Sequence, residues 1–169
     1  MAGHYDFSSV RCLIVDNSSN MRRVTITALK ALGVERTREA ADGARGLEEL
    51  STFPADLVIV EWAMRPMDGI EFARVIRNTR QSPNPYLPII MLTSYTDPQQ
   101  IIDARDAGVN EVLAKPISIR ALGQHLVEIV ERPRPFVKCG TYFGPSRRRE
   151  LDPSNYAGPD RRAGEGAAP

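Results

Sequence analysis

Along the chain, five short apolar runs alternate with longer stretches whose apolar residues recur every three or four positions. Cys12 to Val15 (CLIV) is apolar at every position, the pattern of a strand buried on both faces. Met21 to Leu32 then has helical spacing and stops at Gly33, a natural C-cap. Glu35 to Ala40 reads as a weaker strand and Gly43 to Leu50 as a helix. Asp56 to Val60 is the next strongly apolar strand, and a helix is predicted from about Ile70 to Arg80. Tyr86 to Leu92 and Val109 to Ala114 are further strands, with a helix from Pro98 to Ala107 between them. Pro98 suits the first turn of that helix, and Gly108 follows its end. Ser118 to Glu131 closes the series, its stripe formed by Ile119, Leu122, Leu126, Ile129 and Val130. Five strand–helix units in succession predict an α/β fold, a doubly wound parallel sheet of five strands covered on both faces.

From Pro133 onward this periodicity stops. Six of the 13 prolines and five of the 12 glycines fall in residues 133–169. Such a composition predicts a tail that is disordered, loosely docked, or ordered only by a ligand. The chain thus divides into an N-terminal extension (1–8), one α/β domain (9–131) and a tail (132–169). With 169 residues, 42% of them hydrophobic, there is material for one core.

The formal charge of +1 hides an asymmetry. Residues 132–169 carry eight Lys/Arg against four acids, so a mildly acidic body precedes a basic tail. No apolar run approaches the length of a membrane span, and the first residues lack the basic start and apolar core of a signal peptide. Cys12 and Cys139 fit neither a disulfide nor a metal framework, which points to the reducing cytoplasm. His4 and His125 have no Cys or acid at ligand spacing, and no nucleophile–base arrangement stands out. A non-enzymatic protein is expected.

In an open α/β sheet, ligands bind beyond the carboxyl ends of the strands. Those ends carry Asp16-Asn17, Glu61, Thr93-Ser94 and Lys115-Pro116. Two acids, an amide, hydroxyls and a lysine are expected on one rim. The segments LIVDNSSNMRR, VIVEWAMRPMDG, PIIMLTS and LAKP stand in order along residues 9–131. They resemble the landmarks of two-component receiver domains, in particular small CheY-like response regulators. The resemblance implies a flavodoxin-like sheet of order 2-1-3-4-5. It also implies an Mg²⁺ site built from an acidic pair and a phospho-accepting aspartate, with a hydroxyl and a lysine contacting the phosphoryl group. On that pattern Asp16 is the first acid, Thr93 the hydroxyl and Lys115 the lysine.

Two positions depart from it. Asn17 replaces the second acid, which removes a charge from a site for a hard dication. Glu61 stands where the accepting aspartate belongs, and its extra methylene displaces the carboxylate from in-line geometry. Asp16, Asn17 and Glu61 therefore read as a vestigial Mg²⁺ site. Glu61 is expected to form a built-in ion pair with Lys115, leaving a receiver that phosphorylation does not switch. The bland alternative is a Glu61 merely solvated at the rim. Val112 and Leu113 occupy the place where receivers carry an aromatic switch residue, so the usual hydroxyl-to-aromatic coupling is not expected either.

The tail repeats itself. Tyr142, Gly144, Pro145, Ser146, Arg147 and Arg148 are echoed 14 residues later by Tyr156, Gly158, Pro159, Asp160, Arg161 and Arg162. Gly-Pro is expected to set a turn, lowering the entropy cost of binding. One arginine of each pair can address guanine O6 and N7 while its neighbour stacks or neutralises phosphate. Asp160, and more weakly Ser146, can accept from guanine N1–H and N2–H₂, and the tyrosines can stack. Two guanine readers suit a two-fold dinucleotide, and the offset spans at most roughly 47 Å.

A receiver without standard phosphorylation followed by a GPxRR tail resembles the Cle group of CheY-like cyclic di-GMP effectors. That resemblance implies cyclic di-GMP as ligand and the flagellar motor switch protein as partner, in control of motility or attachment. No membrane and no specific nucleic acid are expected. Two other readings stand beside it: a phospho-independent scaffold whose basic tail holds protein or RNA, and an ordinary phosphorylatable response regulator.

Overall fold

The structure is a computed structural model; it describes residues 5–78, 80, 82–94 and 97–147. Five parallel strands form one sheet: β1 (Arg11–Val15), β2 (Arg36–Ala40), β3 (Leu57–Glu61), β4 (Ile89–Thr93) and β5 (Glu111–Ala114). Their order is β2-β1-β3-β4-β5, the order that the resemblance to receivers implies. Every residue of β3 and β4 is buried, which is why those runs are apolar without alternation. The edge strand β2 is largely exposed, and its polar sequence RTREA reflects that.

The helices are α1 (Ser19–Ala31), α2 (Gly43–Thr52), α3 (Gly69–Arg77), α4 (Pro98–Asp106) and α5 (Ile119–Glu131). Each starts at a side-chain cap: Ser18, Asp42, Asp68, Asp97 and Ser118. Asp68 and Glu71 complete a capping box. Because side chains alternate across a strand, two cores form. Leu13, Val15, Val58, Val60, Ile89 and Met91 point to the α2–α3–α4 side, where Phe72 and Ile76 meet them. Cys12, Ile14, Leu57, Ile59, Ile90 and Leu92 point to the other, against Leu29, Leu122 and Leu126 of α1 and α5. Among the described residues no helix is long and apolar enough to cross a membrane.

The tail's opening differs from the expected lack of structure. Beyond α5 the chain forms an antiparallel hairpin of β6 (Phe136–Cys139) and β7 (Tyr142–Pro145). Three aromatic rings hold it to the body. Phe136 and Phe143 lie 5.2 and 5.3 Å from Tyr86, which precedes β4, and 5.6 Å from each other. Periodicity did not reveal this hairpin because its anchors are few and its partners lie far away in the chain. The Gly144-Pro145 pair, expected to set a turn, lies instead in β7. A Cβ on Gly144 would sit 3.0 Å from the Cα of Gly108, so the close approach of hairpin and body requires glycine there.

Candidate functional site

At the carboxyl ends of the strands, Asp16 follows β1, Glu61 ends β3, Thr93 ends β4 and Lys115 follows β5. Lys115 reaches across and donates from Nζ to Glu61 Oε2; its ammonium also lies 3.7 Å from Asp16 Oδ2. The expected Glu61–Lys115 ion pair is present. Both carboxylates are nearly inaccessible: Asp16 is 1% exposed and Glu61 5%. Ser18 donates its N–H to Asp16 Oδ1 at 2.7 Å, and Ala63 donates its own to Glu61 Oε1 at 3.0 Å. Burial pushes the Asp16 carboxyl above the usual carboxylate range, with the Glu61 charge adding to the effect; the Ser18 N–H and the Lys115 and Arg22 charges pull the other way. The rim therefore holds two buried carboxylates and one lysine, not a solvated Glu61.

Thr93 is buried, and its carbonyl accepts from the Lys115 backbone N–H at 2.9 Å. Asn17 is exposed and lines a cavity of about 490 Å³ with Trp62, Ala63, Met64, Arg65 and Asp68. The donor set does not fit an Mg²⁺ ion. Glu61 spends both oxygens on protein donors, and Asp16 Oδ2, among the described residues the one buried carboxylate oxygen without a hydrogen bond, faces an ammonium. Among the described residues no cluster of three or more His, Cys, Asp or Glu could hold a metal.

The first copy of the repeat lies at the opposite, amino end of the sheet. Tyr142 donates its hydroxyl to the Pro145 carbonyl at 2.7 Å, and the Arg147 guanidinium lies over the Tyr142 ring at 4.7 Å. Burial raises the Tyr142 phenol above its ordinary range. Gly144 and Pro145 are buried in the hairpin, Ser146 is half-buried and its N–H binds the Pro135 carbonyl at 2.7 Å, and Arg147 is exposed. Arg148, Tyr156, Gly158, Pro159, Asp160, Arg161 and Arg162 lie outside the described residues.

Three residues that hold or meet this copy carried no signal in the sequence. Arg77, 5% exposed, donates to the carbonyls of Gly108, Pro85 and Leu87 and to Asn110 Oδ1, at 2.6–2.9 Å. Its guanidinium also lies 4.9 Å from the Phe136 ring. Burial pushes that guanidinium down to about 9, against an opposing effect of Tyr142, so it remains charged near neutral pH. Arg134 donates to Glu111 Oε1 at 3.0 Å and to the Asn110 carbonyl. Asp106, the last residue of α4, meets Arg147 at 2.8 Å. In the sequence all three read as ordinary surface charges on or beside helices, because their partners come from other segments.

The sheet order, the buried acid after β1, the carboxylate ending β3, the hydroxyl ending β4 and the lysine after β5 define a receiver. The family model for the response regulator receiver domain matches residues 12–127, and the chain belongs to that family. It is 37% identical over 124 residues to chemotaxis protein CheY-3 of Vibrio cholerae serotype O1, covering 73% of this chain and 94% of that one. It is 36% identical over 123 residues to chemotaxis protein CheY of Pseudomonas aeruginosa, covering 73% and 98%. The solved structure of Vibrio cholerae chemotaxis protein CheY4 superposes with a TM-score of 0.65 at 28% identity, covering 72% and 98%. The hairpin and the tail lie beyond the matched family segment.

Proposed function

We propose that this chain is a non-enzymatic signalling effector: a CheY-like receiver that phosphorylation does not switch, and that binds cyclic di-GMP through its arginine-rich tail. The loaded protein then engages a partner, the flagellar motor switch protein, to control motility or attachment. The observation that carries this reading is the doubled Tyr-x-Gly-Pro-x-Arg-Arg motif, whose first copy sits on a docked hairpin with Arg147 stacked on Tyr142. A stacked guanidinium is already half of a base-binding platform.

Loss of phosphorylation control rests on Glu61. Its carboxylate is tied to Lys115, the group that would otherwise meet a phosphoryl oxygen, and among the described residues no cluster of acids, His or Cys accompanies it that could hold a dication. The chemotaxis proteins among its relatives support a role in motility. The test is calorimetric titration of the full chain with cyclic di-GMP and with cyclic di-AMP, repeated on Arg161→Ala. Preference for the guanine ligand, lost in the variant, is expected. Equal affinity for both dinucleotides would leave a non-specific polyanion contact, whose affinity falls steeply with salt. Exposure to acetyl phosphate and Mg²⁺ is expected to label neither Glu61 nor Asp16.

A further inference from the structure

The two copies of the repeat differ at the position that reads a base edge. Asp160 precedes the arginine pair in the second copy, and Ser146 precedes it in the first. A serine hydroxyl offers one weak acceptor where guanine presents two adjacent donors, N1–H and N2–H₂. The first copy is therefore incomplete as written in the sequence.

The fold brings a carboxylate to it. Asp106 Oδ1 lies 2.8 Å from Arg147 Nη2, and the Arg147 guanidinium rests on the Tyr142 ring at 4.7 Å. Both ion-paired side chains keep close to half their surface, 44% for Arg147 and 47% for Asp106, so a ligand can reach them together. Among the described residues Asp106 otherwise meets Arg105, at 3.8 Å.

An exposed pair of this kind adds little to stability. An acid beside a binding arginine also repels an anionic dinucleotide, unless the ligand gives it a hydrogen. Guanine can do so. Its O6 lies between N7 and N1, so a guanidinium on O6/N7 and a carboxylate on N1/N2 must stand side by side, as Arg147 and Asp106 do.

We propose that Asp106 is the guanine-edge acceptor of the first copy, a specificity residue supplied by the receiver body to the tail. The inference rests on the cyclic di-GMP reading above. Arg147 addresses O6 and N7 of one guanine while Asp106 accepts from N1–H and N2–H₂. The ligand thereby bridges the hairpin and the end of α4, and the loaded tail is tied to the body.

The test is calorimetry on the full chain, comparing wild type, Asp106→Asn and the double variant Asp106→Asn/Ser146→Asp against both cyclic dinucleotides. An amide offers one acceptor and one donor, which suits adenine N1 and N6 better than guanine. Asp106→Asn is therefore expected to weaken cyclic di-GMP roughly tenfold and to leave cyclic di-AMP unchanged or tighter. Ser146→Asp, which copies the second repeat, is expected to restore the preference for guanine. Unchanged affinities in Asp106→Asn, or equal tightening for both ligands, would overturn the inference while wild-type binding stands. Absence of cyclic di-GMP binding by the wild type would overturn the functional reading itself.

Discussion

The chemistry of the rim turns on Lys115. Its ammonium lies between two carboxylates that are almost fully buried. Removing it takes the ion-pair partner from Glu61 and leaves Asp16 only the weaker influence of Arg22 among the described residues, in a poorly solvated site where an uncompensated charge is expensive. Lys115→Met is expected to cost about 3 kcal/mol in urea unfolding, and adding Glu61→Gln should return part of that loss. Asp16 has the opposite sign. Its carboxyl is raised in the folded state, so the fold binds the proton more tightly than the unfolded chain does, and stability falls as pH rises through that window. Asp16→Asn keeps an acceptor for the Ser18 N–H and removes the buried charge. The variant should melt a few degrees above wild type at pH 7. That gain should vanish below the ordinary carboxylate value of about 3.9, where Asp16 is protonated in both states.

At the scale of elements, the hairpin's attachment depends on Arg77 and Gly108. Arg77 reaches from the last turn of α3 and satisfies three carbonyls and the Asn110 side chain while supporting Phe136. Gly108 has φ +88°, and a Cβ there would lie 2.8 Å from Arg77 Cγ and 3.1 Å from the Phe143 carbonyl. Arg77→Met keeps much of the packing but takes their side-chain donor from the Gly108, Pro85 and Leu87 carbonyls, while Asn110 Oδ1 keeps the Ile89 N–H. The variant is expected to lose about 3 kcal/mol. It should also loosen the hairpin, read as faster tryptic cleavage at Lys138. Loss of stability without faster cleavage would mean that the hairpin is held by its aromatic contacts alone.

At the scale of the molecule, the rim and the hairpin lie at opposite ends of one rigid sheet. The tail's first copy meets the body through the end of α4 and the loops before β4 and β5, not through Glu61 or Lys115. Distant sites without shared partners behave additively. Glu61→Gln is therefore expected to leave the affinity for cyclic di-GMP within about twofold of wild type. A larger change in titration would show that the rim pocket communicates with the tail.

Sequence by itself determined the sheet, its helices and the composition of the rim. Short uninterrupted apolar runs such as IIML, bounded by turn residues, read as strands buried on both faces, and local caps mark where each helix begins. It also marked Glu61 and Asn17 as departures, and the Glu61–Lys115 pair followed from the reach of a longer side chain. What only the tertiary structure decided depends on pairs far apart in the chain. Arg77 under Phe136, Gly144 against Gly108 and Asp106 beside Arg147 have no local signature, because a long-range contact leaves no period in the sequence. Such contacts make a hairpin of residues whose composition alone reads as an unstructured tail. They also set the Asp106 carboxylate beside Arg147 in the copy of the repeat that carries Ser146 where the other has Asp160.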